Sequence, residues 1–182
     1  MDRRKFLRSV ALTGAAITTM KEADAMSILS QSFQTTNAAA KYDLVSVMGG
    51  EPEAMFRKAI DEMGGMKNFI SKGDKVCVKP NIGWDQPVEM AANTNPKLIA
   101  EIIKQCFDAG ASEVKVFDHP CDDWRKSYAN SGIEDAAKKA GAEVVPAHQE
   151  SYYKNVSIPK GRNLKSAKIH QAIVDRDRKS VV

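Results

Sequence analysis

From residue 42 onward, the chain alternates between short apolar runs and longer segments whose apolar positions recur at helical spacing. The apolar runs predict strands because they are short, rich in valine and bounded by turn or charged residues; they cover residues 44–48, 75–79, 114–117 and 143–146. Three helices are predicted between them, beginning near Pro52, at Asn95-Pro96 and near Ile133. Strands joined by helical connections form right-handed crossovers. The pattern therefore predicts an α/β domain of βαβ units, with a mostly parallel sheet and flanking helices.

The pattern weakens after residue 146. Residues 153–158 and 169–174 are predicted as two further strands, at an edge of the sheet. Residues 177–182 back-translate without strain to a common sequencing-adapter read followed by a stop codon. The hypothesis is that these six residues are a non-native tail, that the domain at residues 42–176 is incomplete and that the natural chain continues. The alternative is a genuine polar tail.

The first 41 residues differ from the rest of the chain. A basic start with paired arginines, Arg3-Arg4-Lys5-Phe6-Leu7, precedes a weakly apolar stretch at residues 9–19. That stretch is too short for a membrane span, which needs about 20 residues. A basic region, a short apolar region and a small-residue cleavage site are typical of a secretory signal, and the paired arginines favour the twin-arginine (Tat) route. An ordinary amphipathic leader or a Sec signal remains the alternative.

Cleavage of this leader is predicted before Met26, because Ala23-Asp24-Ala25 matches the A-x-A pattern. Residues 37–40 offer a second cleavage site. Residues 1–25 are therefore predicted as a Tat signal peptide and residues 26–41 as a polar linker. The expected partner is the Tat translocase, and the expected location is periplasmic or extracytoplasmic without a stable membrane span. Because that route moves folded proteins, its cargo often acquires a cofactor before export.

Charge and cysteine content exclude several classes of protein. The net charge of +4 is concentrated at the two ends of the chain, so the middle is nearly neutral and has no basic stripe that would bind nucleic acid. The three cysteines fit neither a disulfide framework nor a CxxC metal site. Cys77 and Cys106 lie at core positions of a predicted strand and helix. Cys121 is predicted to lie in a loop.

Ligands of parallel α/β sheets bind beyond the carboxyl ends of the strands, which selects two segments of this chain. After the strand at residues 75–79, Lys79 could bind a phosphate or carboxylate and Asn81 could orient it. Thr94 and Asn95 open the next helix, whose N-terminus could receive an anion. The structural alternative is a lysine that ends a strand and an ordinary helix cap at Asn95.

The second segment gathers acidic, imidazole and thiol groups after the strand at residues 114–117: Asp118, His119, Cys121, Asp122 and Asp123. Asp118 and His119 are the candidate acid/base groups, and His119 and Cys121 are candidate metal ligands. Four ligands from one short loop are geometrically awkward, so a solvated polar loop stays the alternative. The other two histidines are predicted to be structural or at the surface.

Residues 42–175 resemble the domain-of-unknown-function family 362. The resemblance rests on these segments: Gly49-Gly50-Glu51-Pro52, Gly73-Asp74-Lys75-Val76-Cys77-Val78-Lys79-Pro80-Asn81, Asn93-Thr94-Asn95-Pro96 and Asp108-Ala109-Gly110-Ala111. It implies that the chain covers the front half to two thirds of the family's domain. Some members carry twin-arginine leaders or ferredoxin-like iron–sulfur modules, but this sequence has no such cysteine motif.

Two functions are compatible with these features. The first is an exported enzyme, redox- or metal-linked, that acts on a small anionic molecule at the strand ends. The second is a non-catalytic ligand-binding or maturation protein that uses the same crevice. The cofactor is not identified by the sequence. Turnover with a retained metal or cofactor favours the enzyme, and stoichiometric binding without turnover favours the second reading.

Overall fold

The computed structural model describes residues 42–182. Within this range, a four-stranded sheet and a separate two-stranded sheet are formed by the strands β1 (Lys75–Lys79), β2 (Glu113–Val116), β3 (Glu143–Val144), β4 (Tyr153–Ser157), β5 (Ser166–His170) and β6 (Arg178–Val181). The larger sheet has the order β3-β2-β1-β6, and all its neighbouring strands are parallel. The predicted mostly parallel α/β sheet is therefore confirmed. The predicted signal peptide at residues 1–25 and linker at residues 26–41 lie outside the described residues.

Helices connect the strands: α1 (Pro52–Glu62), α2 (Pro96–Ala109), α3 (Trp124–Asn130), α4 (Ile133–Lys139) and α5 (Gln171–Val174). Short 3-10 turns occur at Met66–Asn68, Val88–Met90 and Glu150–Tyr152. The three predicted helices are present, and α3 is an additional one within the segment that the sequence pattern left as a loop. None of the helices within residues 42–182 is long and apolar enough to cross a bilayer.

Local sequence explains where α2 begins and ends. The Asn95 side chain accepts a hydrogen bond from the Lys97 N–H at 2.9 Å, so the predicted cap is confirmed. Gly110 ends the helix in the left-handed region, with a φ of 109°. The helix between these caps buries Ile99, Ile103 and neighbouring apolar residues against the sheet.

The core lies on one face of the sheet. Val76, Val78, Val114 and Val116 pack there with residues of α2 and α4 in one apolar cluster, which includes Cys106. A smaller cluster occupies the opposite face and is made of Cys77, Phe117, Ala147 and Ala172. Both cysteines predicted as core residues are buried. Burial raises the pKa of each thiol to about 11, which keeps both neutral and unreactive.

The structure corrects the prediction of a strand at residues 44–48, which are not in a strand in the structure. Leu44 and Met48 are 84% and 89% exposed, and residues 44–48 form no backbone hydrogen bond with the rest of residues 42–182. An apolar run of this kind favours an extended chain, but a strand also needs a neighbour on the sheet.

The structure confirms only part of the prediction for the residues after 146. Residues 153–157 form β4 and pair antiparallel with β5, from Tyr153 opposite His170 to Ser157 opposite Ser166. The second predicted strand, at residues 169–174, is divided, because its first two residues end β5 and the next four form α5. The two strands pair with each other and are not an edge of the main sheet.

Residues at the end of the chain form β6, which pairs in parallel with β1 from Val76 opposite Arg178 to Lys79 opposite Val181. The hypothesis of a non-native tail at residues 177–182 concerns the origin of these residues and stays a prediction.

Candidate functional site

The carboxyl ends of β1 and β2 place Lys79 and Asp118 side by side. The Lys79 ammonium forms an ion pair with Asp118 Oδ1, and the second oxygen, Oδ2, accepts the Ile82 N–H at 2.7 Å. The Asp118 side chain is 6% exposed, whereas that of Lys79 is 36% exposed. A buried carboxylate needs this compensation because its desolvation is costly. The pair therefore leaves the lysine accessible from solvent, with its charge largely balanced.

The backbone of Asp118 is held by a buried tyrosine from α3. The Tyr128 hydroxyl accepts the Asp118 N–H at 2.8 Å and lies within donating distance of the Asp118 and Val145 carbonyl oxygens. Tyr128 is 1% exposed, and burial raises its pKa, so the hydroxyl stays protonated at neutral pH. The end of β2 is therefore fixed by α3, a helix that the sequence pattern did not predict.

Asn81 and Thr94 fasten the loop after β1 to the start of α2. The Asn81 amide donates to the Ala92 carbonyl at 3.1 Å and accepts the Gly83 N–H at 3.1 Å. The Thr94 hydroxyl accepts the Asn81 N–H at 2.9 Å and donates to the Val182 carbonyl at 3.1 Å. Both side chains, predicted as ligand-binding groups, thus have structural partners that shape the loop.

A second asparagine, not singled out from the sequence, holds the far part of the same loop. The Asn93 amide accepts the Trp84 N–H at 3.1 Å and donates to the Trp84 carbonyl at 3.0 Å. Asn93 immediately precedes Thr94 in the helix-opening motif, which was the available signal. The long loop between β1 and α2, which follows Lys79, is therefore held in one conformation by side-chain hydrogen bonds to its backbone.

His119 lies at the exposed end of β2 with one ring nitrogen engaged. Its Nδ1 is 2.8 Å from the Ala147 carbonyl oxygen and 3.1 Å from the Tyr153 hydroxyl. Because a carbonyl only accepts hydrogen bonds, Nδ1 carries the proton, and Nε2 of the neutral ring keeps its lone pair. Within residues 42–182, Nε2 has no hydrogen-bond partner. His119 is thereby oriented to exchange a proton or to ligate through Nε2.

The loop that follows His119 is attached to the β1 loop by its backbone. Cys121 donates its N–H to the Gly83 carbonyl at 2.8 Å, and its thiol is exposed. Asp122 accepts the Asp85 N–H at 2.9 Å, and Asp123 caps α3 by accepting the Lys126 N–H at 3.1 Å. Two of the carboxylates in this acidic segment therefore have structural roles.

The described residues bring no metal-binding group together. Across residues 42–182, no three His, Cys, Asp or Glu side chains lie close enough to hold one ion. His119 and Cys121, the predicted metal ligands, share a loop without a third ligand from this part of the chain.

The other two histidines belong to an aromatic cluster beside the site. His170 is 3% exposed and stacks on Phe117 with ring centroids 4.2 Å apart, while His148 stacks on Trp124 at 4.4 Å. His170 Nε2 donates to the Pro146 carbonyl at 3.1 Å, and its Nδ1 accepts the Ala172 N–H at 3.1 Å. Burial lowers the pKa of His170, so the ring is structural and neutral.

Tyr153 was not identified from the sequence as a site residue. Its hydroxyl donates to the Ala147 carbonyl at 2.9 Å, beside the His119 ring. Burial, with a smaller effect of Asp118, raises the pKa of Tyr153. Together the strand ends offer a lysine held by a carboxylate and a histidine with one free nitrogen, which suits binding of a polar molecule and proton transfer.

Comparison with known proteins gives one family. The model of a family described as "Domain of unknown function (DUF362)" matches residues 76–179, which is more than half of the 182 residues. No curated protein and no solved structure matches the chain. The matched range includes β1 from Val76 onward, the whole of β2 and every candidate site residue. The chain belongs to the DUF362 family.

Proposed function

We propose that the carboxyl edge of β1 and β2 is the active site of an enzyme that acts on a small anionic molecule. His119 exchanges a proton through Nε2, and Lys79 binds the negative charge. The observation that carries the proposal is the hydrogen bond from His119 Nδ1 to the Ala147 carbonyl, 2.8 Å long, which fixes the tautomer and leaves Nε2 free at an exposed strand end. A general base needs this combination of access and orientation.

Lys79 contributes orientation more than net charge. Its ammonium is balanced by Asp118, so an incoming anion gains a hydrogen-bond donor at a fixed position rather than a strong electrostatic field. Asp118 acts as the positioning residue because it contacts Lys79 and is itself held by the Ile82 N–H. The site therefore favours small ligands that bind weakly and are oriented for chemistry.

Titration with inorganic phosphate tests the binding part of the proposal. We expect the amide resonances of Lys79, of residues 81–83 and of Asp118, His119 and Cys121 to shift in ¹H–¹⁵N spectra, and we expect Lys79→Gln to abolish the shifts. Lys160→Gln is the matched control, because Lys160 is exposed in the turn between β4 and β5 and has no ion pair within residues 42–182. Equal shifts in wild type and Lys79→Gln would contradict the proposal.

The protonation of His119 is tested on the same samples. Long-range ¹H–¹⁵N spectra should show Nδ1 protonated and Nε2 unprotonated in the neutral ring, and phosphate should perturb Nε2. A neutral ring protonated at Nε2 would remove the basis for His119 as a base.

A metal- or redox-linked form of this enzyme is supported by the ligand types of His119 and Cys121 and by the twin-arginine leader predicted at residues 1–25. Elemental analysis and an absorbance spectrum of the exported protein test it. A stoichiometric metal or chromophore that is lost in His119→Ala and Cys121→Ser would support the metal-linked form. A colourless, metal-free protein would exclude it and leave the anion site.

A non-catalytic ligand-binding or maturation protein is the second candidate. It is favoured by the compensated charge of Lys79 and by the engagement of both polar atoms of the Asn81 amide in the loop. Binding of one ligand per chain without turnover would distinguish it from the enzyme.

A further inference from the structure

Two helices run side by side on the same face of the main sheet. Glu51, which precedes α1, pairs with Lys97 in the first turn of α2 at 2.9 Å. Further along both helices, Arg57 pairs with Glu101 at 2.8 Å. Because the first residues of the two helices contact each other, and so do their middle residues, α1 and α2 are parallel. Both therefore begin at the carboxyl edge of the sheet, where β1 ends and α2 starts.

The handedness of crossovers fixes where a strand before α1 belongs. α2 connects β1 to its parallel neighbour β2 and packs on the face that carries Val76 and Val78. Phe56 of α1 packs on the same cluster. Right-handed crossovers whose helices share one face move the chain in one direction across a sheet. A strand that precedes α1 therefore belongs beside β1 on the side away from β2, and β6 occupies that position.

Residues 44–48 have the properties of the missing strand. Their sequence, Leu-Val-Ser-Val-Met, is apolar and β-branched, and Leu44 and Met48 are 84% and 89% exposed. Residues 49–51 separate the run from α1, which is an ordinary length for a connection between a strand and a helix.

β6, which pairs with β1 in the structure, has polar side chains at positions where apolar ones are expected. In register, Arg178 lies opposite Val76 and Ser180 opposite Val78, so polar side chains occupy the positions that face the helices. Beneath them is a cavity of about 460 Å³, lined mainly by apolar residues that include Phe56, Ile60 and Ile102. Strands of parallel sheets that are covered by helices are normally apolar on the covered face.

We propose that residues 44–48 pair in parallel with β1 in place of β6. Apolar side chains of this strand then fill the cavity that Arg178 and Ser180 line in the present arrangement. The turn at Gly49-Gly50 comes to the carboxyl edge beside Lys79, where Glu51 already lies next to Lys97. The candidate site is then bordered by this turn as well as by the loop after β1. The proposal depends neither on the function proposed above nor on the origin of residues 177–182.

Hydrogen exchange of the unaltered protein tests the pairing. We expect alternate amides of residues 45–48, those that point toward β1, to be protected from exchange, and the amides of residues 178–181 to exchange rapidly. Protection of residues 178–181 with rapid exchange at residues 45–48 would overturn the proposal.

Paired proline substitutions provide a second measurement, because two adjacent prolines remove a ladder hydrogen bond whichever residue faces β1. We expect Val45→Pro/Ser46→Pro to lower the melting temperature and Arg178→Pro/Lys179→Pro to leave it unchanged. The reverse result would overturn the proposal, since residues 44–48 form no backbone hydrogen bond within residues 42–182 in the present arrangement.

Discussion

At the scale of single residues, Tyr128 holds the backbone of Asp118 at the candidate site. It is buried, and its hydroxyl satisfies the backbone N–H of Asp118 at 2.8 Å. We expect Tyr128→Phe to lower the free energy of unfolding by about 1–3 kcal/mol, because a buried N–H loses its acceptor. Urea denaturation measures the change. Tyr42→Phe is the control, since Tyr42 is 51% exposed. Equal effects of the two substitutions would contradict this role of Tyr128.

His170 is a second residue whose burial has a measurable consequence. Burial lowers the pKa of His170 below its ordinary value of 6.5, so the unfolded chain binds its proton at a higher pH than the folded chain does. The contribution of His170 to stability is therefore complete above about pH 6.5 and is lost as the pH falls toward the lowered folded pKa.

The measurement for His170 is the free energy of unfolding between neutral and mildly acidic pH. We expect it to decrease as the pH falls, and we expect His170→Gln to reduce the slope of that decrease. An unchanged slope in His170→Gln would show that other groups cause the acid sensitivity.

At the scale of elements, the end of α2 requires a glycine at position 110. An added Cβ at Gly110, where φ is 109°, would lie 3.1 Å from the Lys72 Cα. Gly73 has a φ of 90° and no atom within 4 Å of such a Cβ. We expect Gly73→Ala to cost about 1 kcal/mol for the left-handed backbone and Gly110→Ala to cost more, because the Lys72 backbone must also shift. Thermal unfolding of both variants measures the difference, and equal losses would show that the contact is relieved freely.

Elements with local signals were predictable, and those that depend on distant partners were not. Pro52, Asn95 and Gly110 mark helix ends through interactions within a few residues, so α1 and α2 could be read from the sequence. Residues 44–48 have the sequence of a strand. Whether they pair with β1 depends on residues 178–181, which are distant in sequence and occupy that position in the structure. α3 has only seven residues, and its residue Tyr128 forms a hydrogen bond with the backbone of Asp118, just after β2.

The same division applies to the candidate site. Lys79, Asp118 and His119 were predicted because the topology of a parallel sheet places strand ends at one edge. The ion pair between Lys79 and Asp118, and the contact of His119 with the Ala147 carbonyl, join residues far apart in sequence. The sequence pattern therefore located the edge but did not show that the lysine is balanced or which histidine nitrogen is free.

At the scale of the whole molecule, the remaining prediction concerns where the protein works. We propose that residues 1–25 direct the folded chain through the twin-arginine route and are removed before Met26. The paired arginines, Arg3 and Arg4, are the feature that this route recognises. We expect Arg3→Lys/Arg4→Lys to keep the full-length chain in the cytoplasm, whereas the unaltered chain yields a shorter extracytoplasmic form.

Cell fractionation and mass spectrometry of the amino terminus measure this outcome. Lys5→Arg/Arg8→Lys is the matched control, because it preserves the charge of the leader and the arginine pair. A mature form that begins at Met26 in the control, but is absent in Arg3→Lys/Arg4→Lys, would support both the route and the cleavage site. Export of the two variants in equal amounts would indicate a Sec-type leader, for which basic charge suffices and the arginine pair is not required.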